Sequence, residues 1–205
     1  MTRALGELYR QERLRLAHWE EGRSLGDVLR PVFGEGPERP VLMLIGEAPG
    51  REEAKAGRPF VGKAGKQLNG LLRSARIERE SVYVTNAVKY RPVKPSARGF
   101  ANRTPDKNEI AAGLPLLAEE IRVLRPRWIA TLGNTPLFAL WSLAGLEAET
   151  VGVVHGVARE ICVCGASATA YPLYHPAGAI YNRSLLPVME GDWVRLGLLI
   201  NGKEG

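Results

Sequence analysis

The sequence predicts an open α/β fold with a mainly parallel central sheet, and three observations carry that expectation. Short apolar runs of strand length are bounded by Gly/Pro turns, and amphipathic stretches of helical length lie between them. The first run, Val41 to Ile45, is apolar at five consecutive positions, the pattern of a strand buried on both faces of a parallel sheet. Polar residues capable of chemistry stand directly after the runs, at the strand ends where open α/β folds place ligands.

The elements follow in order. Leu5, Leu8, Leu14, Leu16 and Trp19 among many Arg and Glu predict a helical arm over residues 3–33 that covers one side of the sheet, closed by the turn Gly34 to Pro40. Val41 to Ile45 is the first strand, and it ends in Gly46-Glu47-Ala48-Pro49-Gly50. Arg51 to Lys55 forms at most one helical turn, and a helix through Leu68, Leu71 and Leu72 follows the loop Gly57-Arg58-Pro59-Phe60-Val61-Gly62.

Gly57 to Lys63 has the spacing of a phosphate-binding P-loop. Such a loop follows a strand directly and ends in Ser or Thr, whereas a polar segment precedes this one and Ala64 stands at the hydroxyl position. The glycines instead let backbone approach a ligand, with Phe60 at the mouth of a pocket.

Ser81 to Val88, rich in β-branched residues, is the second strand and carries Asn86 near its end. A basic loop follows, from Lys89 through Arg91, Lys94 and Arg98 to Arg103. Thr104 as cap and Pro105 at the first helical position open a helix to about Leu124. Trp128 to Leu132 is a third strand, ending in Gly133-Asn134-Thr135-Pro136 and another helix. Residues 151–170 alternate and contain three glycines, a β-hairpin excursion in which His155 is structural. Ala170 to Tyr174 is the last strand and delivers His175, and a helix from Pro187 through Leu198 closes the chain.

Length and composition bound the function. The 205 residues read as a single domain, 1–205, with residues 1–36 as the N-terminal arm. No apolar run approaches the roughly 18 residues of a membrane span, and no signal-peptide core follows Met1, so the expected compartment is the cytoplasm. Lys and Arg outnumber Asp and Glu by 28 to 22, a net charge of +6 that permits a polyanionic partner. The only cysteines, Cys162 and Cys164, stand in a Cys-x-Cys flanked by apolar residues and are read as unpaired packing residues. Two thiols are too few for an iron–sulfur cluster or a structural zinc, which take about four ligands.

If the sheet is parallel, the ends bearing Glu47, Asn86, Gly133 and His175 open on one side. A carboxylate, a carboxamide and an imidazole then share one cleft with the Phe60 ring. The basic loop after Asn86 and the segment Ala177 to Arg183 lie at the same edge. Their cations suit phosphates and their apolar residues suit a wedge into a base stack, the profile of a site for one extruded base.

Residues 41–183 resemble the uracil-DNA glycosylase superfamily, closest to its bacterial and archaeal family 4. The pieces that match are Gly46-Glu47-Ala48-Pro49-Gly50, Gly57-Arg58-Pro59-Phe60-Val61-Gly62, Asn86-Ala87-Val88-Lys89, Asn102-Arg103-Thr104-Pro105 and His175-Pro176-Ala177. The resemblance implies a three-layer α/β/α sandwich around a central, mainly parallel four-stranded sheet. It implies a monofunctional DNA repair enzyme that flips uracil from single- or double-stranded DNA and hydrolyses its glycosidic bond. Glu47, Asn86 and His175 would be catalytic, and Gly46, Ala48, Phe60, Asn86 and Gly133 would bind the base. Lys89, Arg91, Lys94, Arg98, Arg103, Tyr181 and Arg183 would contact DNA. The chain would act as a monomer without a cofactor.

The sequence departs from the family pattern in several places. Family 4 holds a 4Fe–4S cluster on four cysteines, but here the arm has no Cys-x-x-Cys, Tyr90 stands at the third position and Gly113 near the fourth. No cluster is therefore expected. The loop from Lys89 to Asn102 is longer than the common pattern, as in a branch that becomes covalently trapped on uracil DNA. That branch uses a histidine which this loop lacks, so turnover is expected. Tyr181 stands where relatives usually carry Arg. These changes leave room for other deaminated bases, hypoxanthine or xanthine, or for a DNA-binding member of the fold without catalysis.

Overall fold

The computed structural model describes residues 3–20, 30–97 and 99–202. Helix α1 spans Arg3–Glu20 and buries Leu5 and Tyr9. The side chains of Leu16 and Trp19, and all of Arg98, fall outside the described residues. Residues 30–33, expected to continue the helix, are not helical. Pro31 opposes a helix there, and buried Val32 and Phe33 lead into a two-way backbone bridge between Glu35 and Val84. The segment thereby shields the outer edge of the sheet.

Strand β1, Leu42–Gly46, leads through α2, Arg51–Ala56, and α3, Lys63–Ser74, to β2, Val82–Asn86. The basic loop after β2 is a two-stranded hairpin, β3 Val93–Ser96 against β4 Gly99–Asn102. Helix α4, Lys107–Leu124, starts two residues later than Thr104 and Pro105 suggest. Asp106 is its cap, accepting from the Asn108 and Glu109 amides while Glu109 accepts from the Asp106 amide.

Strand β5, Trp128–Leu132, is followed by α5, Asn134–Ala144, and the short α6, Val151–Val154. Strands β6, Arg159–Val163, and β7, Ala166–Leu173, then pair antiparallel across Cys164 and Gly165. Both turn residues have positive φ, 52° and 76°, as a two-residue type I′ turn requires. This pairing makes the sheet five-stranded, not four-stranded: the expected excursion joins it as an edge strand, in the order β2-β1-β5-β7-β6. Cys162 is exposed on β6 and does not pack, whereas Cys164 is half-buried in the turn. Helices α7, Gly178–Tyr181, and α8, Leu186–Ile200, complete the chain.

The period-2 alternation of β1 divides the core. Met43 and Ile45 face the layer of α1, α4 and α5, with Ile121, Leu137 and Trp141. Leu42 and Leu44 face the layer of α3 and α8, with Leu68, Leu72 and Trp193. The result is the three-layer α/β/α arrangement. Among the described residues no helix is long and apolar enough to cross a membrane.

A polar cluster ties the first layer to the sheet. Lys89 and Glu120 are 3% and 0% exposed and 2.7 Å apart. The Lys89 ammonium also donates to the Thr85 hydroxyl at 2.6 Å and to the Asn86 carbonyl at 2.7 Å, which uses all three of its protons. Tyr9 of α1 donates to Glu120 at 2.5 Å and accepts from the Tyr83 hydroxyl. Burial, followed by the negative charge of Glu120, pushes both phenols well above the usual tyrosine range and keeps them protonated. Burial pushes the Lys89 ammonium down, and Glu120 opposes that shift.

Candidate active site

Strands β1, β2, β5 and β7 run parallel, so their carboxyl ends share one edge, and Gly46 stands directly beside Asn86 in register. A cleft of about 700 Å³ opens there. Glu47, Ala48, Phe60, Asn86 and His175 line it, so five of the expected residues from three strand ends and one loop come together.

Glu47 follows β1 immediately and is half-buried. One of its carboxylate oxygens accepts from the Thr135 hydroxyl at 2.7 Å, and Thr135 is buried in the first turn of α5. Thr135 has no role in the sequence reading, although a hydroxyl three residues past a strand end on the same edge was the available signal. Asn86 is 2% exposed and lines the cleft with a carboxamide that takes no hydrogen bond from any described residue. A buried amide with both ends unmet is costly unless a ligand or water meets it.

His175 follows β7. Its Nδ1 accepts from the Ala177 amide at 3.1 Å, so the proton of the neutral ring sits on Nε2. Burial lowers its pKa below the ordinary imidazole value, and the Glu53 carboxylate opposes that shift. Gly133 does not line the cleft with these residues. It supports His175 from behind: with φ at 100°, a Cβ there would lie 3.3 Å from the His175 Cβ.

Phe60 forms the opposite wall, its ring centroid 6.2 Å from that of His175. Its φ of 53° is unusual for a bulky residue, and such backbone persists only where the surroundings enforce it. Gly65 is part of that enforcement, since a Cβ there would lie 1.8 Å from the Phe60 carbonyl oxygen. Gly46 permits the wall to close, because its own Cβ would meet the Phe60 ring at 2.6 Å and the Asn86 oxygen at 2.4 Å. Glu53, also without a role in the sequence reading, accepts from the Gly50 amide at 3.1 Å and the Gly62 amide at 2.7 Å. Its signal was the capping spacing from Gly50 to Glu53. Gly57, far from cradling a phosphate after a strand, ends α2.

The expected strand contacts divide. Lys89 is corrected outright, because its ammonium is buried and every proton is engaged inside the protein. Arg103 lines the cleft but forms a two-pronged ion pair with Glu109, at 2.6 and 2.7 Å. Arg91 is tied to Asn102 at 2.6 Å and to the Phe100 carbonyl. Lys94 and Arg183 are exposed, and Tyr181 stands 89% exposed at the cleft rim.

A four-thiolate cluster does not fit this chain. Its two cysteines lie on the β6–β7 hairpin, at the sheet edge opposite β2. Among the described residues no group of three His, Cys, Asp or Glu is placed to hold a metal. At Gly113, near the fourth cysteine of the family pattern, a Cβ would lie 2.2 Å from the Ala87 carbonyl oxygen. Helix α4 sits directly on the end of β2, with no room for a thiolate.

Chemically, the cleft offers an aromatic face, an amide edge, a neutral imidazole donor and a carboxylate. These can hold a planar heterocycle by face and edge and meet opposite charges on the two sides of a breaking bond. The comparisons agree with this geometry. The Uracil DNA glycosylase superfamily model matches residues 33–195. The chain is 37% identical over 173 residues to the Type-4 uracil-DNA glycosylase of Saccharolobus solfataricus, 84% of this chain and 77% of that protein. The Pyrobaculum aerophilum Type-4 enzyme is 40% identical over 79% of this chain and 77% of its own length. That of Archaeoglobus fulgidus is 35% identical over 84% and 83%. With a family model spanning nearly the whole sheet and relatives aligned over most of their length, the chain belongs to the uracil-DNA glycosylase superfamily.

Proposed function

We propose that the protein is a monofunctional uracil-DNA glycosylase that begins base excision repair. It takes a uracil extruded from single- or double-stranded DNA and hydrolyses the bond between uracil N1 and deoxyribose C1′, leaving an abasic site. The convergence of Glu47, Asn86 and His175 on one cleft carries the reading.

Asn86 accepts from uracil N3–H and donates to O4. Cytosine offers a bare N3 and an amino group at those positions, so both ends of the amide would be left mismatched in a buried site. Phe60 stacks on the ring, an interaction worth about 1–3 kcal/mol that helps offset unstacking from DNA. As the glycosidic bond breaks, its electron pair moves onto the base, and the His175 Nε2–H stabilises the charge that gathers on O2. Glu47, held by Thr135, orients a water toward C1′ and offsets the positive charge developing on the sugar. The water oxygen bonds to C1′ and gives up a proton to the surrounding water, and uracil departs as an anion that takes up a proton from solvent in turn.

Residues 1–205 act as one unit in this reading, and the hydrogen bond from Tyr9 of the arm to Glu120 supports it. The protein works as a cytoplasmic monomer without a resident cofactor. The test is alkali-revealed strand cleavage of an oligonucleotide carrying one uracil, single-stranded and opposite G, beside a hypoxanthine version. Cleavage at uracil that Glu47→Ala abolishes is the expected result. Binding without cleavage of any substrate overturns the reading in favour of a non-catalytic module.

A further inference from the structure

Across the cleft from the expected strand contacts, a second groove of about 500 Å³ shares Glu52, Gly62 and Lys63 with it. Lys55, from the last turn of α2, and Lys63 and Lys66, one turn apart on α3, converge on this groove, with Val61 at its side. All three lysines are exposed, and none of their ammonium groups forms an ion pair or hydrogen bond with any described residue. Several neighbouring cations are by contrast engaged within the protein. Arg58 is paired with Glu35, Arg103 with Glu109, and Lys89 with Glu120. Glu52 is the one carboxylate lining the groove.

Three unpaired ammonium groups on an open groove that borders the cleft have a plain electrostatic use. We propose that this groove carries the phosphate backbone of the DNA strand on one side of the extruded nucleotide, with Lys55, Lys63 and Lys66 each neutralising a phosphate. The proposal rests on the glycosylase reading for the identity of the strand, and it moves the main phosphate contacts from the β3–β4 side to the α2–α3 side. Lysines suit the task because backbone contacts need charge at roughly fixed spacing and no base readout. Val61, 37% exposed between them, offers the sugars an apolar floor.

The experiment measures binding of a labelled single-stranded oligonucleotide with one 2′-fluoro-2′-deoxyuridine, whose electronegative substituent resists cleavage, across a salt series. The wild type is compared with Lys55→Ala/Lys63→Ala/Lys66→Ala, and with Lys107→Ala/Arg122→Ala on the exposed face of α4 as control. Each phosphate contact on a single strand contributes about −0.7 to the slope of log K against log salt, so the triple variant should flatten it by about 2. The control should leave the slope unchanged. Thermal unfolding checks that all three proteins are folded. A triple variant with the wild-type slope, or wild-type protein that does not bind the probe, overturns the groove. A wild type that binds with the expected slope loss in the triple variant but never cleaves uracil keeps the groove and overturns the glycosylase reading alone.

Discussion

The Lys89 ammonium lies 2.7 Å from both the Glu120 carboxylate and the Asn86 backbone carbonyl, so one buried cation fastens α4 to the residue whose carboxamide lines the cleft. Removing one partner of such a pair leaves an uncompensated buried charge at a cost of about 3–5 kcal/mol, whereas replacing both with apolar residues is often near neutral. Lys89→Met should therefore lower unfolding free energy by that order in urea. Lys89→Met/Glu120→Leu should recover only part of it, because the Tyr9 and Thr85 hydroxyls then lose their acceptor, and kcat should stay reduced because the Asn86 carbonyl has still lost its donor. A double variant as unstable as the single one would show that the pair does not act in this way.

Thr135 should matter through Glu47. Thr135→Val removes the hydroxyl donor from a half-buried carboxylate, a bond to a charged group worth about 1.5–3 kcal/mol. Uracil release should slow by roughly ten- to a hundredfold with little change in KM, and Thr135→Ser should restore most of the rate. Equal loss in the Ser and Val variants would mean that packing, not the hydrogen bond, is what Thr135 supplies.

The pH response of His175 has a fixed sign. Burial lowers its pKa in the folded protein, so below the ordinary value of about 6.5 the unfolded chain takes up a proton that the folded one refuses. Its contribution to stability is present above that value and is lost as the pH falls from there toward the lower folded pKa. In the same window protonation would put an N–H on Nδ1 against the Ala177 amide, so activity should fall only once the folded pKa is reached. An NMR titration of the His175 ring in wild type against His175→Gln checks the direction. A folded pKa above 6.5 would contradict it.

Purified under argon, the protein should be colourless, without the absorbance near about 400 nm of thiolate-bound iron. Iron and acid-labile sulfide should be absent by assay. Stoichiometric iron would show that ligands other than the two cysteines hold a cluster.

The parts of the fold that the sequence made legible are those with a local pattern. β1 is a continuous apolar run and β2 and β5 are short runs rich in apolar and β-branched residues, and the ends of β1 and β2 placed Glu47 and Asn86 on the cleft. The hairpin over residues 151–170 was legible from its alternation, but its place as the fifth strand of the central sheet was not, because Arg159–Val163 is half exposed and its pairing depends on the Cys164-Gly165 turn, where a cysteine occupies a left-handed position. Lys89 was misread for a physical reason. Lysines rarely lie inside, and only its partner Glu120, 31 residues away, shows that this one does. Thr135 and Glu53 escaped in the same manner, since each acts through contacts that the strand order creates.

The two hydrogen bonds of Glu53, to the amides of Gly50 and Gly62, join the turn that bears Glu47 to the loop that bears Phe60. The Phe60 ring and the Glu47 carboxylate are thus held in place relative to one another before any ligand arrives. On the proposed function a base entering the cleft would order neither, so the entropy lost on binding would fall on the DNA and on the exposed rim around Tyr181, where side chains still have freedom to lose.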